Sequence, residues 1–200
     1  MIPINVYHFS KPDLCHKIDM KMNTRQLIDE LKSITQGNLN FAEKLLSQPD
    51  EKLNFRLSEK SWSILECLEH LNLYGRFYLP EIRNSIQNSD TRFTEVFSSG
   101  ILGNYFAKSM LPKQKLNKIK TFKSMNPIHS NLDRKVLNEF IAQQKQMTEL
   151  LNDAENVNLN TIKTGISISS FIRLKLGDTF RFVIYHNLRH IEQAKKILEI

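Results

Sequence analysis

Residues 180–198, near the end of the chain, carry apolar side chains at the spacing of an α-helix. The apolar stripe on a helical wheel consists of Phe180, Val183, Ile184, Ile191, Ala194 and Leu198. The charged residues take the opposite side: Arg181, Arg189, Glu192, Lys195 and Lys196. A helix with one apolar side buries that side against other elements. The pattern therefore predicts an amphipathic helix that packs on a core.

Two histidines lie at the margin of this stripe. His186 and His190 flank it together with Phe182 and Gln193. Residues four apart on a helix share one face, with their Cβ atoms about 5–6 Å apart. Two imidazoles at that distance can bind one metal ion. The pair alone is weak evidence, because a hydrogen bond in the core would satisfy a buried imidazole equally well.

A third histidine, His70, lies on a second predicted helix that spans residues 62–86. The stripe of that helix consists of Ile64, Leu68, Leu71, Tyr78 and Ile82, and His70 lies at its margin with Cys67, Tyr74 and Phe77. Three protein ligands and one open position are typical of a catalytic zinc ion. We therefore expect His70, His186 and His190 to form a metal site, with core hydrogen bonding of the imidazoles as the alternative.

Breaking and capping residues set the predicted bounds of the other elements. Asn23 or Thr24 can cap a first helix that ends near residues 48–50, and Ser61 can cap the second. Pro80 should kink the second helix or start a fresh turn. A third helix is predicted over residues 133–153, and Asp178 should cap the last one.

Two long connections separate these helices. Residues 89–130 contain glycines and prolines, with a short helical piece predicted over residues 101–111. Residues 157–176 are rich in Asn, Thr and Ser and are typical of a loop. Four main helices with two long connections predict an all-α fold, a four-helix bundle.

Length and composition favour one domain of residues 23–200. The 200 residues are 40% hydrophobic, which suits a single core. Two cysteines form no disulfide framework, and no signal peptide or long apolar run is present, so we expect a soluble, cytoplasmic protein without a membrane partner. Residues 1–22 fit no helical pattern. We interpret them as a poorly structured extension or a start-site artefact, in which His8 and His16 are poor ligand candidates.

The positive charge of the chain has a local origin. Lys+Arg 28 against Asp+Glu 21 gives a net charge of +7. Six lysines fall within residues 108–123: Lys108, Lys113, Lys115, Lys118, Lys120 and Lys123. Clustered lysines can attract nucleic acid or a small anion, but such runs are more often solvated connections. We do not expect nucleic acid to be a partner.

Three sequence segments carry a family resemblance. They are WSILECLEHL, KTFKSMNPIHS and LGDTFRFVIYHNLRHIEQAKKIL, in this order. The chain from about Asn23 resembles the DinB-like superfamily of metal-dependent hydrolases (YfiT-like), in particular its DinB_2 branch. The resemblance implies an up-down-down-up four-helix bundle and a three-histidine metal site. The metal-binding histidines of that family correspond to His70, His186 and His190.

The implied activity is broader than the implied fold. Three neutral imidazoles suit a divalent ion, zinc or nickel. The resemblance implies a thiol S-transferase or hydrolase acting on small molecules, with a low-molecular-weight thiol as a candidate cofactor. The alternative is a metal-binding or ligand-binding bundle without catalytic activity. Whether the bundle forms a homodimer stays open, as do the substrate and the catalytic residues.

Residues near the histidines on the helical wheels are candidates for orienting an imidazole or a bound water. Glu66 lies one turn before His70, and Gln193 lies about one turn after His190. Tyr74, Tyr185 and Cys67 are weaker candidates, because packing is the commoner role for each.

Overall fold

The computed structural model describes residues 20–112 and 121–200, and this part of the chain is mostly helical. Its helices are α1 (Thr24–Leu45), α2 (Asp50–Asn54), α3 (Ile64–Gln87), α4 (Ile101–Met110), α5 (Lys135–Asp153) and α6 (Leu176–Leu198). Single 3₁₀ turns occupy Lys123–Met125 and Ala154–Asn156. The four long helices fall where the sequence predicts helices, and α4 coincides with the predicted short piece. Residues 1–19 of the predicted extension, with His8 and His16, lie outside the described residues.

Short strands supplement the helices. β1 (Lys21–Asn23) pairs antiparallel with β2 (Val96–Ser98). β3 (Lys163–Ile166) and β4 (Ser169–Lys175) form an antiparallel hairpin. The predicted loop over residues 157–176 is therefore wrong for the hairpin. Thr164, Ile166 and Leu174 are buried, as expected for the inward positions of short strands. The Ser, Thr and Gly residues of the segment make this alternation hard to recognise in the sequence.

Local capping explains where the first two long helices begin. The Asn23 side chain accepts a hydrogen bond from the Gln26 amide, 3.1 Å away, which confirms a predicted cap of α1. α3 begins later than predicted, because Ser63 and Glu66 form a reciprocal capping box. The Ser61 hydroxyl instead bonds the backbone of Ser58. Pro80 starts no new helix, since α3 continues through it to Gln87.

The start of α6 also differs from the prediction. Lys175 is its N-cap residue, and Asp178 lies inside the first turn. The Asp178 carboxylate accepts hydrogen bonds from the Gly100 amide at 2.8 Å and from the Ser99 hydroxyl. Arg181, predicted to lie on the outer side of α6, is fully buried and pairs with Asp178 at 3.3 Å. The prediction is wrong because α4 packs over this side of α6.

Each of the four long helices packs against two of the others. α3 contacts α5 and α6, and α1 contacts the same two helices. α3 and α5 approach closely at Gly75, where an added Cβ would lie 1.8 Å from the Gln143 Oε1 atom. Within the described residues, no helix is both long and apolar enough to cross a lipid bilayer.

Two apolar clusters form the core, and a polar layer separates them. Tyr78 and Phe180 belong to the first cluster, and Leu68 and Ile191 to the second. The polar layer consists of His186, Asn187, Arg189 and His190, which lie between residues of the two clusters along α6, together with His70 and Asn72 of α3. Because buried polar groups require partners, this layer is where the fold can build a site.

Candidate metal site

Three histidines from two helices meet in the polar layer. His186 and His190 share a face of α6, and α3, which packs on α6, supplies His70. One ring nitrogen of each lies within 4.8 Å of the others. The Nε2 atoms of His70 and His186 are 3.1 Å apart, and the ring centroids of His186 and His190 are 4.8 Å apart. The structure brings together the three predicted residues, and the group could hold a metal ion.

Hydrogen bonds determine which ring nitrogens are available in two of these histidines. The Nδ1 atom of His70 donates to the carbonyl oxygen of Met125 at 2.6 Å, because a carbonyl can only accept. The Nδ1 atom of His190 bonds the Oε1 atom of Gln193 at 3.0 Å, as predicted for Gln193. In each neutral ring the Nε2 atom therefore keeps its lone pair. Imidazoles that bind metals are commonly oriented by an outer hydrogen bond of this kind.

The spacing of the His70 and His186 nitrogens fits a shared cation. Two lone pairs this close repel unless a proton or a cation lies between them. Nitrogens bound to one tetrahedral zinc ion at about 2.0–2.1 Å would be about 3.3 Å apart, close to the observed spacing. The Nδ1 atom of His186 is buried without a hydrogen bond to any described residue. The three imidazoles and the spacing of this pair thus fit a divalent ion.

Burial keeps the three imidazoles neutral. It lowers the pKa of His70 to about 4 and that of His190 to about 3. The pKa of His186 lies well below its ordinary value, because of burial and of the neighbouring His190 and His70. Neutral imidazole is the form that binds metals, so no proton has to be displaced near pH 7.

Trp62 is a site residue that sequence reasoning does not single out. Its ring centroid lies 4.6 Å from that of His70 and 5.4 Å from that of His190. Its Nε1 atom donates to the Oδ1 atom of Asn126 at 3.0 Å. Trp62 is the first residue of the helix predicted over residues 62–86, but in the structure it precedes α3, so a helical wheel cannot give its direction. The Met125 carbonyl is a backbone group and has no sequence signal.

The Glu66 carboxylate bonds groups other than the His70 imidazole, which it was a candidate to orient. Its carboxylate accepts two hydrogen bonds from Arg56, at 2.7 and 2.8 Å, and one each from the amides of Ser63 and His129. Burial alone would raise the pKa of Glu66, but the bonds from Arg56, Ser63 and His129 outweigh it and lower this pKa. Glu66 therefore holds the backbone segment that contains Met125 and His129. It influences His70 only through this segment, by way of the Met125 carbonyl.

The three weaker candidates have different positions. Tyr74 lies in the site, with its ring centroid 4.6 Å from that of His186. Tyr185 lies on another side of α6, where its hydroxyl donates to Glu30 at 3.0 Å. Cys67 is fully buried in an apolar cluster, which raises the pKa of its thiol. Of the three, Tyr74 is placed to contact a ligand.

The histidines lie in the wall of a cavity of about 900 Å³. Trp62, Tyr74 and Phe182 line it beside them, and its volume suits a small molecule. Lys108 and Lys123 of the predicted lysine run are exposed, and its other four members lie outside the described residues.

Comparison with known proteins agrees with the resemblance in the sequence. The family model of the DinB superfamily matches residues 22–194. The chain matches no curated protein and no solved structure. Because the family model covers most of its length, including all three histidines, the chain belongs to the DinB superfamily.

Proposed function

We propose that this protein is a divalent-metal-dependent enzyme acting on small molecules, with His70, His186 and His190 as ligands of the ion. The observation that carries the proposal is the position of three neutral imidazoles, with nitrogens within 4.8 Å of one another, in the wall of a cavity of about 900 Å³. Three protein ligands leave a coordination position for a substrate, as in catalytic zinc sites.

The donor set favours zinc or nickel. Imidazole suits these ions, whereas magnesium, calcium and manganese prefer oxygen ligands. When bound, the ion supplies Lewis-acid chemistry, which lowers the pKa of a coordinated thiol or water and yields a nucleophile. A thiol S-transferase and a hydrolase are the two reaction types that this chemistry supports, the first with a low-molecular-weight thiol as cosubstrate.

The side chains around the histidines orient them and restrict access of water. The Met125 carbonyl bonds the Nδ1 atom of His70, and Gln193 bonds the Nδ1 atom of His190. Trp62 and Tyr74 pack against the imidazole rings and occupy space that water would fill.

We also propose that the four long helices form a bundle of the DinB/YfiT-like type, within a domain of residues 23–200. The packing of α1 and α3 against both α5 and α6 supports this arrangement.

A metal-binding or ligand-binding bundle without catalytic activity is the second candidate. One observation favours it: no aspartate or glutamate lines the cavity within the described residues. A carboxylate is a common general base in hydrolytic sites, so a binder has no need of the group that this wall lacks.

The test begins with elemental analysis of protein purified without added metal. Protein loaded with zinc or nickel is then incubated with glutathione or bacillithiol and monochlorobimane, and separately with a chromogenic ester. Metal-dependent conjugation or hydrolysis is the expected result. Stoichiometric metal with neither activity would favour the binding module, and absence of metal binding would reject the enzyme and leave a ligand-binding bundle.

A further inference from the structure

The cavity beside the histidines runs along α6. Phe182, His186, His190 and Gln193 all line it. Gln193 follows Phe182 by eleven positions, which on an α-helix corresponds to about 16.5 Å. The histidines lie between two ends of the cavity, and the ends differ in chemistry.

The end near Phe182 is largely aromatic and aliphatic, with the Tyr78 hydroxyl bonded to Ser167 beside it. The Phe182 ring centroid lies 5.7 Å from that of Tyr78 and 6.2 Å from that of Phe106. Tyr105 of α4 and the hairpin residues Ile166 and Leu174 also line the cavity. These side chains enclose a space suited to an aromatic ring or an alkyl chain.

The end near Gln193 is polar. Gln193 bonds His190, and Asn126 bonds the Trp62 indole, which packs beside the same histidine. Lys60 and Ser61, which directly precede Trp62, line the cavity as well.

The charged groups of the wall are of one sign. With the histidines neutral, the charges that line the cavity within the described residues are those of Lys60 and Arg189. Arg189 lies between His186 and His190 along α6, at the level of the histidines, so Lys60 is the charged group of the polar end. A bound divalent ion would add to this positive potential, which favours anions.

We propose that the cavity takes amphipathic anions, with an aromatic or alkyl body at the Phe182 end and a carboxylate-like group at the Lys60 end. This rests on the proposed function, since it names the substrate class of that site. The reactive centre of such a molecule lies between its two ends, opposite the histidines.

Trp62 is the only tryptophan of the chain and lines the cavity, so its fluorescence reports binding. The probes are phenylbutyrate, phenylbutanol, phenylbutylamine and butyrate. Phenylbutyrate is expected to bind about tenfold more tightly than butyrate, because its ring is removed from water. It should also bind more tightly than the alcohol and the amine. Equal affinity of butyrate and phenylbutyrate would contradict a binding site for the ring at the Phe182 end. Preference for the amine would contradict a binding site for an anionic group at the Lys60 end.

Variants locate each end. Lys60→Gln should weaken the binding of phenylbutyrate about threefold and leave the binding of phenylbutanol unchanged, since exposed charge pairs contribute about 0.2–1 kcal/mol. The exposed Lys44, outside the cavity, provides the matched control Lys44→Gln. Phe182→Ala, or Phe106→Ala if the first variant is unfolded by circular dichroism, should weaken both ring-bearing probes. Phe171→Ala is its control, because Phe171 is 95% exposed and outside the cavity wall. If a variant and its control lost the same binding affinity, the chemistry assigned to that end of the cavity would be refuted.

Titrations of metal-free and metal-loaded protein separate this inference from the proposed function. The two ends are built by side chains, so the preference for phenylbutyrate should persist without metal. A carboxylate preference that appears only with metal, and that Lys60→Gln leaves intact, would mean that the ion binds the carboxylate and would overturn the assignment. Failure to bind any metal would reject the proposed function while the metal-free titration still decides the ligand class.

Discussion

The Nε2 atoms of His70 and His186 lie 3.1 Å apart, although 116 residues separate the two histidines in the chain. The Nδ1 atom of His70 is held by the Met125 carbonyl, so its Nε2 lone pair points at His186. Because both rings are buried and neutral, the His186 Nε2 atom either donates its proton to this lone pair or, with the proton on its Nδ1 atom, offers a second lone pair to a shared cation.

The two histidines of α6 are expected to control metal occupancy. Protein purified with zinc or nickel should contain about one ion per chain, and His186→Ala or His190→Ala should reduce this to near zero, since each breaks the pair of ligands on one face of α6. Elemental analysis gives the measurement. His129→Asn is the control, because His129 is exposed outside the cavity and Asn tolerates its φ of 63°. A double variant of His186 and His190 that still holds one ion per chain would contradict the site.

His70 is expected to matter more for activity than for occupancy. The pair on α6 can still hold an ion in His70→Ala when metal is in excess, but the third ligand that fixes its position is lost. Activity per bound ion should fall about 100-fold, because catalysis depends on alignment. Both proteins are saturated with metal, checked by elemental analysis and assayed side by side. Equal activity of a fully loaded His70→Ala variant would remove His70 from the site.

The metal-free protein is expected to stay folded. Two apolar clusters hold its helices together, unlike a zinc finger, whose fold depends on the ion. Metal removal should leave the helical circular dichroism intact and lower the melting temperature modestly. Linkage gives a loss of about 2.7 kcal/mol if the ion had been present at about 100 times its Kd. Collapse of helicity on chelation would identify a structural ion.

Glu66→Gln is expected to weaken both folding and metal binding. The carboxylate joins Arg56 to the backbone at Ser63 and His129. His129 lies four residues after Met125, whose carbonyl orients His70, so the variant should bind metal about tenfold more weakly. Exchange titration with a chelator measures this affinity. Glu139→Gln, which removes a more exposed partner of Arg76, serves as the control.

The stability difference between Glu66→Gln and the parent should depend on pH. The folded-state pKa of Glu66 is lowered below its usual 4.5. The unfolded chain therefore takes up the proton first as the pH falls. The contribution of the ionised carboxylate is complete above about pH 4.5 and is lost progressively below it. Urea unfolding of both proteins at pH 7 and at lower pH should show the difference shrinking; a constant difference would contradict this.

Several features follow from local sequence. The spacing of His186 and His190 fixes them on one face of α6 wherever that helix packs. Asn23 caps α1 through a neighbouring amide, and Gln193 reaches His190 within one turn. The helical fold class follows in the same way, from apolar residues that repeat with the helical period.

Other features needed the packed structure. The meeting of His70 with α6, the Met125 carbonyl at His70 and the Trp62 ring over the site join parts of the chain that are far apart in sequence. Arg181 looks like a surface residue on the wheel of α6, yet α4 covers it and Ser99, Asn104 and Asp178 bond it. Thus the sequence by itself determined the helices and the faces of their histidines, because both depend on spacing along one element. Only the tertiary structure decided which faces meet, because that depends on how distant elements pack together.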